Sequence, residues 1–363
     1  MIKQIVKTLD GNEATADVAY NFTEVATIYP ITPSSPMAEH VDVWSANGRK
    51  NLFGQPVKLV EMQSEAGAIG AVHGASETGS LCSSFTASQG LMLMIPVMHR
   101  LSGELKPVVL HIAARTVGTH TMSIFGDHSD VMGCRNTGWA MLCSASVQEC
   151  ADLAAVAHLS TIKGRVPFMH FFDGFRTSHE IQKIKMLPAE ELGKLIDRDA
   201  LYHFKHTGLN PEHPVMRSTV TNPDMFFQSR EANNPWYQRL PYIVQDYMDQ
   251  ISELTGRPYH LFDYYGAPDA EHVVIAMGSV TGAIQETIDK LCKEGKKVGF
   301  IQVHLYRPFS LEHFMKAMPD TVRTITVMDR TKEPGALGEP LYEDVCAAIS
   351  HVKQDVTVLA CRY

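Results

Sequence analysis

The sequence predicts an α/β protein in which a doubly wound parallel sheet comes first and a second, smaller α/β unit follows. Apolar, β-branched segments alternate along the chain with helical segments that are rich in small residues. The apolar segments are continuous, which is typical of parallel strands that helices cover on both faces. With 363 residues, of which 45% are hydrophobic, the chain is long enough for about two or three domains. We place the domain boundary between residues 258 and 259, after a Gly-Arg-Pro linker.

The first unit has six predicted strands, at residues 25–31, 57–61, 80–85, 108–113, 140–143 and 166–171. Helices are predicted near residues 13–22, 35–46, 65–78, 88–102 and 147–162. The last of these helices begins with Ser146 and Glu149 at the spacing of a capping box. Residues 175–258 contain several Asn-Pro pairs, which predict a loop-rich stretch that leads into a helix near residues 236–254.

The second unit repeats this alternation on a smaller scale. Its strands are predicted at residues 273–277, 298–303, 324–328 and 356–361, and its helices near residues 280–294, 310–317 and 337–351. Right-handed crossovers between such strands give another parallel sheet. Because no helix follows the last strand to cover it, we expect this unit to be incomplete and one sheet edge to be exposed.

The composition argues against several classes of protein. The net charge is −8 and no cluster of Lys or Arg is present, which argues against a nucleic-acid partner. No apolar run approaches the ~18 residues of a membrane span, and the charged N-terminal stretch does not fit a signal peptide. The seven cysteines include no C-x-x-C pair. We therefore expect reduced thiols, no metal or iron–sulfur site within the chain, and a cytoplasmic or comparably reducing compartment.

Polar segments follow several predicted strands, where open α/β sheets bind their ligands. In residues 29–36, Tyr-Pro-Ile-Thr-Pro-Ser-Ser-Pro, the prolines restrict the backbone, so that Thr32 and the serines are presented rigidly. The same segment fits a helix start with Ser35 as N-cap and Pro36 in the first position. Glu65 begins a helix that is rich in Gly and Ala. Its carboxylate is suited either to capping that helix or to hydrogen-bonding a ring nitrogen of a heterocycle.

Two further strand ends carry candidate ligand contacts. Residues 85–90, Phe-Thr-Ala-Ser-Gln-Gly, lack the first glycine of a G-x-S-x-G elbow. They therefore predict a polar turn against a ligand rather than a nucleophilic Ser88. Arg115 is placed to bind a carboxylate through two hydrogen bonds, although an ordinary surface arginine fits equally well. In the loop that follows, Asp127 or His128 is a candidate for orienting a substrate, with a solvated loop as the alternative.

Seven segments occur in order along the chain: YPITPSSP (29–36), EMQSEAGA (61–68), FTASQG (85–90), FGDH (125–128), HFFDGFRTSHEIQK (170–183), LYRPF (305–309) and DRTKEPGA (329–336). Together they resemble the N-terminal portion of pyruvate:ferredoxin (flavodoxin) oxidoreductases, and the resemblance covers essentially the whole chain. It implies a pyrimidine-binding domain for thiamine diphosphate at residues 1–258. It also implies an incomplete transketolase C-terminal-like domain at residues 259–363.

The resemblance implies roles for individual residues. Glu65 matches the glutamate that hydrogen-bonds the pyrimidine ring of thiamine diphosphate. Thr32 matches a threonine near the reacting carbonyl group, and Arg115 matches the arginine that binds the substrate carboxylate. The same resemblance implies five further cofactor contacts, from Pro30, Ile31, Thr86, Ser88 and Gln89.

On this resemblance the complete enzyme oxidises pyruvate to acetyl-CoA and carbon dioxide, with coenzyme A as acetyl acceptor, reduces ferredoxin or flavodoxin, and is a homodimer. Mg²⁺ and 4Fe–4S clusters are expected only in other domains, because the chain has no G-D-G…N-N motif and no set of cluster cysteines. We therefore expect the chain to be inactive alone, and to be a truncated form rather than a separate α-type subunit. Two alternatives stay open: an enzyme for 2-oxoglutarate or a branched 2-oxoacid, and a non-catalytic assembly module.

Overall fold

The computed structural model describes residues 3–217, 219–352 and 355–363. Its strands are β1 (Ile5–Leu9), β2 (Val25–Ile28), β3 (Lys58–Glu61), β4 (Cys82–Thr86), β5 (Val108–Ala114), β6 (Ala140–Ser144), β7 (Phe168–Asp173), β8 (Gln182–Met186), β9 (Phe262–Gly266), β10 (His272–Ala276), β11 (Val298–Val303), β12 (Leu305–Arg307), β13 (Thr324–Asp329) and β14 (Thr357–Arg362). Its helices are α1 (Gly11–Phe22), α2 (Ser35–Ala46), α3 (Glu65–Glu77), α4 (Ser88–Gly103), α5 (Ser129–Gly133), α6 (Val147–Gly164), α7 (Ala189–Lys194), α8 (Arg198–His206), α9 (Pro223–Glu231), α10 (Asn234–Thr255), α11 (Val280–Lys293), α12 (Leu311–Ala317) and α13 (Pro340–Ser350).

The first unit is built on a seven-stranded sheet with the strand order β12-β6-β7-β5-β4-β2-β3. Six of these strands run parallel to one another: β6, β7, β5, β4, β2 and β3. Every residue of β4, β5, β6 and β7 is buried, as the continuous apolar segments predicted. Helix α1 packs against α2 and α6, and α3 packs against α4. This arrangement confirms the predicted doubly wound α/β fold.

The second unit contains a five-stranded sheet with the order β14-β13-β10-β11-β9. Four of its strands are parallel, as predicted, and β9 is antiparallel at one edge. Strand β14 lies at the opposite edge, and none of its residues is buried. The predicted exposed edge is therefore present in the structure.

Several local features differ from the sequence predictions. Strand β12 pairs antiparallel with β6, so the start of the LYRPF segment extends the first sheet instead of belonging to the second. Strands β1 and β8 form an antiparallel pair that was not predicted, because charged residues interrupt both of their apolar patterns. The loop-rich prediction for residues 175–258 was wrong in part, since β8, α7, α8 and α9 lie within that stretch.

The start of α2 is one residue away from its predicted position. Ser34, not Ser35, is the N-cap, and α2 begins at Ser35. The Ser34 hydroxyl does not cap the helix, because it donates a hydrogen bond back to the Ile31 carbonyl at 2.8 Å. The predicted capping residue of α6 is confirmed: Ser146 Oγ accepts from the backbone N–H of Glu149 at 3.2 Å. In a capping box the glutamate side chain would accept from the backbone N–H of the N-cap residue, Ser146. Here Glu149 Oε2 accepts instead from the N–H of the preceding residue, Ala145, at 2.7 Å.

All seven cysteines lie in the described part of the chain and are free thiols, as expected from their spacing. None of the helices described has the length and apolar character that a membrane span requires.

A buried polar network joins the two units at the carboxyl end of β7. The fully buried carboxylate of Asp173 contacts His128 Nε2 at 2.6 Å and accepts a hydrogen bond from the backbone N–H of Ser279 at 2.8 Å. The guanidinium of Arg330 donates to the same carboxylate. Burial by itself would raise the pKa of Asp173, but His128, Arg330 and Ser279 together hold that pKa below its usual value. The network therefore stabilises the ionised form of Asp173.

We expect Asp173→Asn to lower the free energy of unfolding by about 2 kcal/mol at neutral pH, because the amide keeps the shape but not the charge that Arg330 pairs with. The pKa of Asp173 is lower in the folded state than in the unfolded state. Its contribution is therefore present above about pH 4 and is lost as the pH falls through the folded-state pKa. Urea unfolding at neutral and at acid pH measures both effects. Equal stability of the two proteins at neutral pH would contradict this role.

Candidate functional site

The candidate site lies at the carboxyl ends of the central strands of the seven-stranded sheet. Thr32 follows β2, Glu65 follows β3, Ser88 follows β4 and Arg115 follows β5. Strand β3 lies on one side of β2, and β4 lies on the other side, so the direction of winding reverses between β2 and β4. In open α/β sheets such a reversal leaves a crevice in which ligands bind. The four segments singled out in the sequence therefore meet at the crevice.

Glu65 is the first residue of α3, but it does not cap that helix. The N-cap is Ser64, whose Oγ atom accepts a hydrogen bond from the backbone N–H of Gly67 at 3.2 Å. Glu65 is 5% exposed, and within the described residues no side chain or backbone group hydrogen-bonds its carboxylate. The Glu65 oxygens are not among the fully buried atoms without a partner, so they stay accessible from the crevice. Of the two roles that the sequence left open for Glu65, the structure therefore favours contact with a ligand.

Helix α4 approaches Glu65 at a glycine. A Cβ atom at Gly90 would lie 2.5 Å from Glu65 Oε1 and 2.8 Å from Thr86 Oγ1, which is closer than non-bonded atoms approach. Thr86 Oγ1 is buried and has no hydrogen-bond partner in the described part of the chain. The absence of a side chain at Gly90 therefore leaves room for the Glu65 carboxylate and the Thr86 hydroxyl at the same place.

Arg115 is joined directly to the turn that contains Thr32. Its Nη1 atom donates a hydrogen bond to the Thr32 carbonyl oxygen at 2.8 Å. Arg115 is only 7% exposed, and its Nε atom is buried with no partner among the described residues. The surface-arginine alternative is therefore wrong. Nη1 carries two N–H groups and uses one of them for this bond. Because Nε is fully buried, a carboxylate reaches the guanidinium at its Nη1–Nη2 end, where Nη2 has no partner among the described residues.

The turn after β4 holds Ser88 and Gln89. The Ser88 hydroxyl is buried, contacts the Gln89 side-chain oxygen, and donates to the Thr116 carbonyl oxygen at 2.6 Å. This bond fixes the turn and gives the Ser88 hydroxyl a structural partner. Gln89 is half-buried and remains accessible at the crevice. Pro30 and Ile31 lie in the turn before Thr32, where the Ile31 carbonyl accepts from Ser34 N at 2.9 Å.

Asp127 and His128, the two candidates in the following loop, both have partners within the protein. Asp127 Oδ1 accepts hydrogen bonds from the backbone N–H of Ser129 at 2.9 Å and from its hydroxyl at 2.6 Å. His128 is 1% exposed and contacts Asp173. The carboxylate that reaches the site is instead Asp130, which accepts from the backbone N–H groups of Ser88 and Arg115. Sequence analysis missed Asp130, although it lies in the same polar loop.

One group of side chains in the described part of the chain has the spacing of metal ligands: His73, Glu77 and Glu104. Lys106 Nζ lies 2.7 Å from Glu77 Oε1, and Arg217 Nη1 lies 2.6 Å from Glu77 Oε2. Burial would raise the pKa of Glu77, but these cations lower it to about 2. The group is an ion-pair cluster, and we assign no metal to it.

The family of pyruvate flavodoxin/ferredoxin oxidoreductases, thiamine diphosphate-binding, matches residues 17–249. The chain belongs to this family. A second family, pyruvate:ferredoxin oxidoreductase core domain II, matches residues 270–361. The resemblance seen in the sequence is thereby confirmed, and thiamine diphosphate is the cofactor of the family.

Individual relatives agree with this assignment. A pyruvate:ferredoxin oxidoreductase from Moorella thermoacetica is 60% identical over 98% of this chain, and a pyruvate-flavodoxin oxidoreductase from Klebsiella pneumoniae is 60% identical over 99% of it. The chain spans 30% and 31% of the lengths of these two relatives. A solved 2-oxoglutarate:ferredoxin oxidoreductase from Magnetococcus marinus has the same fold, with a TM-score of 0.67 at 18% identity, covering 99% of this chain and 62% of its own.

Proposed function

We propose that this chain forms the pyrimidine-binding half of a thiamine diphosphate site, in an enzyme that oxidatively decarboxylates pyruvate with ferredoxin or flavodoxin as electron acceptor. The observation that carries the proposal is a pair of charged side chains at the same strand ends, Glu65 and Arg115, which are 5% and 7% exposed and whose carboxylate and Nη2 group have no protein partner among the described residues. The first suits a heterocycle with a ring nitrogen, and the second suits a substrate carboxylate. A non-catalytic assembly module would need neither group.

The residues around Glu65 fit a flat heterocycle. The Glu65 carboxylate is free for a ring nitrogen, and the unpartnered Thr86 hydroxyl lies at the same place. We assign the remaining contacts with the pyrimidine to four residues of the two neighbouring turns: Pro30, Ile31, Ser88 and Gln89. Since a Cβ atom at position 90 would overlap Glu65, the glycine there is required for this fit.

When bound, thiamine diphosphate would supply the carbon nucleophile and the electron sink that decarboxylation of a 2-oxoacid requires. Glu65 would hold a proton at the pyrimidine ring nitrogen by a hydrogen bond. This bond would favour the imino tautomer of the ring, whose exocyclic nitrogen can accept a proton. This hydrogen bond gains strength because Glu65 is buried, where the dielectric constant is low. The catalytic contribution of Glu65 is thus a hydrogen bond rather than a direct contact with the substrate.

Arg115 and Thr32 orient the substrate. The terminal N–H groups of Arg115 bind the carboxylate of the 2-oxoacid, since Nε is buried and Nη1 uses only one of its two N–H groups for the Thr32 carbonyl. Thr32 is exposed at the crevice, where its hydroxyl is available to the substrate's keto oxygen. Holding the carboxylate in this way places the keto carbon for attack, which is a proximity effect. The two residues therefore act as one substrate-binding unit.

The rest of the reaction requires parts that this chain does not supply. We propose that Mg²⁺, the diphosphate and the 4Fe–4S clusters bind to other domains of a homodimeric enzyme, and that coenzyme A accepts the acetyl group there. The boundary between the pyrimidine-binding domain (1–258) and the incomplete transketolase C-terminal-like domain (259–363) is part of the same proposal. It is supported by the gap between the two matched regions, 17–249 and 270–361. The chain alone is inactive.

The test is an assay of the holoenzyme that contains this chain. With thiamine diphosphate, Mg²⁺ and coenzyme A present, pyruvate should drive the reduction of ferredoxin or flavodoxin, and acetyl-CoA should form in equal amount to carbon dioxide. 2-Oxoglutarate and a branched 2-oxoacid are tested as alternative substrates in separate reactions. If either of them gave a higher kcat/KM than pyruvate, pyruvate would not be the preferred substrate. Turnover without thiamine diphosphate would contradict the proposal.

A further inference from the structure

Asp130 lies in the short helix α5, and its side chain is fully buried. One of its carboxylate oxygens, Oδ2, accepts two backbone hydrogen bonds, from Ser88 at 2.8 Å and from Arg115 at 2.9 Å. The other oxygen, Oδ1, accepts from the backbone N–H of Val131 at 2.7 Å. A single oxygen atom therefore joins the turn after β4 to the residue that follows β5.

The turn after β4 needs such an anchor. Ser88 has a φ angle of 51°, in the left-handed region that residues other than glycine seldom adopt. A backbone of this kind persists where the surrounding contacts impose it. Both bonds that hold Ser88 come from the neighbourhood of β5: Asp130 accepts from its N–H, and the Thr116 carbonyl accepts from its hydroxyl. Since Thr116 follows Arg115 directly, the strained turn and Arg115 are held as one unit.

No Lys, Arg or His side chain of the described residues donates a hydrogen bond to Asp130. Burial raises the pKa of Asp130 to about 7, with a further rise from Asp127, although the backbone bonds from Arg115, Ser88 and Val131 act in the opposite direction. Because Asp130 bonds to backbone groups and not to a cation, it forms no ion pair that would stabilise the fold. What its hydrogen bonds provide is a fixed geometry of the two strand ends.

We propose that Asp130 is a positioning residue for substrate binding: by holding the backbones of Ser88 and Arg115 together, it keeps the terminal N–H groups of the Arg115 guanidinium at the crevice. This inference rests on the proposed function, in which those groups bind the carboxylate of a 2-oxoacid. Asp130 is fully buried and does not touch the substrate. Its loss therefore weakens substrate binding more than it slows the chemical step.

Two substitutions in the holoenzyme test this role. Asp130→Asn keeps one oxygen for Ser88 and Arg115 but turns an amide group toward the N–H of Val131, whereas Asp130→Ala removes all three bonds. We expect the KM for pyruvate to rise about fivefold in the first variant and about thirtyfold in the second, with kcat within about threefold of wild type. The partial rescue by asparagine would not follow from a general loss of stability.

Asp152→Asn is the matched control. Asp152 is a buried aspartate of α6 whose carboxylate binds Arg257 at 2.8 Å and Tyr259 at 2.7 Å, and neither partner belongs to the candidate site. This substitution should lower the melting temperature and leave the KM for pyruvate unchanged. If Asp152→Asn raised the KM as much as Asp130→Asn, the specific role of Asp130 would be overturned.

Amide hydrogen exchange provides a readout that needs no substrate. In Asp130→Ala, peptides that contain Ser88 and Arg115 should exchange faster, while peptides from the second sheet keep their wild-type rates. Unchanged exchange at Ser88 and Arg115, or faster exchange with an unchanged KM, would overturn the proposal. A wild-type holoenzyme that turns over no 2-oxoacid would overturn the proposed function instead, and the exchange rates distinguish that failure from a failure of the backbone anchor.

Discussion

Replacement of Glu65 by glutamine in the holoenzyme should lower kcat for pyruvate oxidation by about 10²–10⁴-fold, the range typical of lost acid–base assistance. Glutamine keeps the size of the side chain and its buried position at the start of α3. It cannot hold a proton at the pyrimidine ring nitrogen as a carboxyl group does. The affinity for thiamine diphosphate should fall less than kcat, because the diphosphate is held elsewhere in the proposed site. Steady-state kinetics and calorimetry measure the two effects separately.

Glu286→Gln is a matched control, since Glu286 is exposed on α11 in the second unit. It should leave kcat at the wild-type value. Gly90→Ala tests the same interaction without altering Glu65, because the added methyl group would lie 2.5 Å from Glu65 Oε1 and would force the carboxylate to move. We expect Gly90→Ala to lower kcat in the same direction. If Glu65→Gln kept kcat within about twofold of wild type, the assigned role of Glu65 would be wrong.

The position of the site was predictable because parallel strands leave a clear pattern. Continuous apolar segments identified the strands, and Thr32, Glu65 and Arg115 were candidate ligand contacts at or just after their carboxyl ends. The structure places all three at the strand ends around the reversal of winding. The sequence left two roles open for Glu65. The Ser64 hydroxyl caps α3, which excludes the capping role and leaves ligand contact as our proposal.

The features that were missed depend on contacts between distant residues. Asp130 binds Ser88 across 42 residues of sequence and Arg115 across 15, and its partners are backbone N–H groups that no side-chain motif reveals. Strand β12 has three residues, too few for a periodic pattern, and it is defined by its pairing with β6. The network around Asp173 joins Ser279 and Arg330 of the second unit to the end of β7, which follows only from the packing of the two units.

The hydrogen bond between Arg115 and the Thr32 carbonyl determines how a substrate can approach. Nη1 donates one of its two N–H groups to that carbonyl, which fixes the guanidinium plane, and because Nε is buried the terminal Nη1–Nη2 end remains for a carboxylate. The backbone of Arg115 is held at the same time by Asp130. Both ends of this side chain are thus fixed before a ligand arrives, which reduces the entropy that binding would otherwise cost. The contribution of Arg115 therefore depends on its shape as well as on its charge.

Arg115→Lys should therefore lower kcat/KM for pyruvate by about a hundredfold, although it keeps the positive charge. Lysine cannot form two parallel hydrogen bonds with a carboxylate, and it presents a single ammonium group on a flexible chain. The loss of two charge-assisted hydrogen bonds corresponds to about 3 kcal/mol, most of which should appear in KM. Initial-rate measurements over a wide range of pyruvate concentration separate KM from kcat.

Arg323→Lys makes the same chemical change at an exposed arginine of the second unit and should leave both constants unchanged. Arg115→Ala removes the charge as well, so we expect a loss at least as large as with lysine. If lysine at position 115 gave wild-type kcat/KM while alanine did not, charge alone would account for substrate binding. The proposed binding of the carboxylate through two hydrogen bonds would then be wrong, and the positioning role of Asp130 would lose its physical basis.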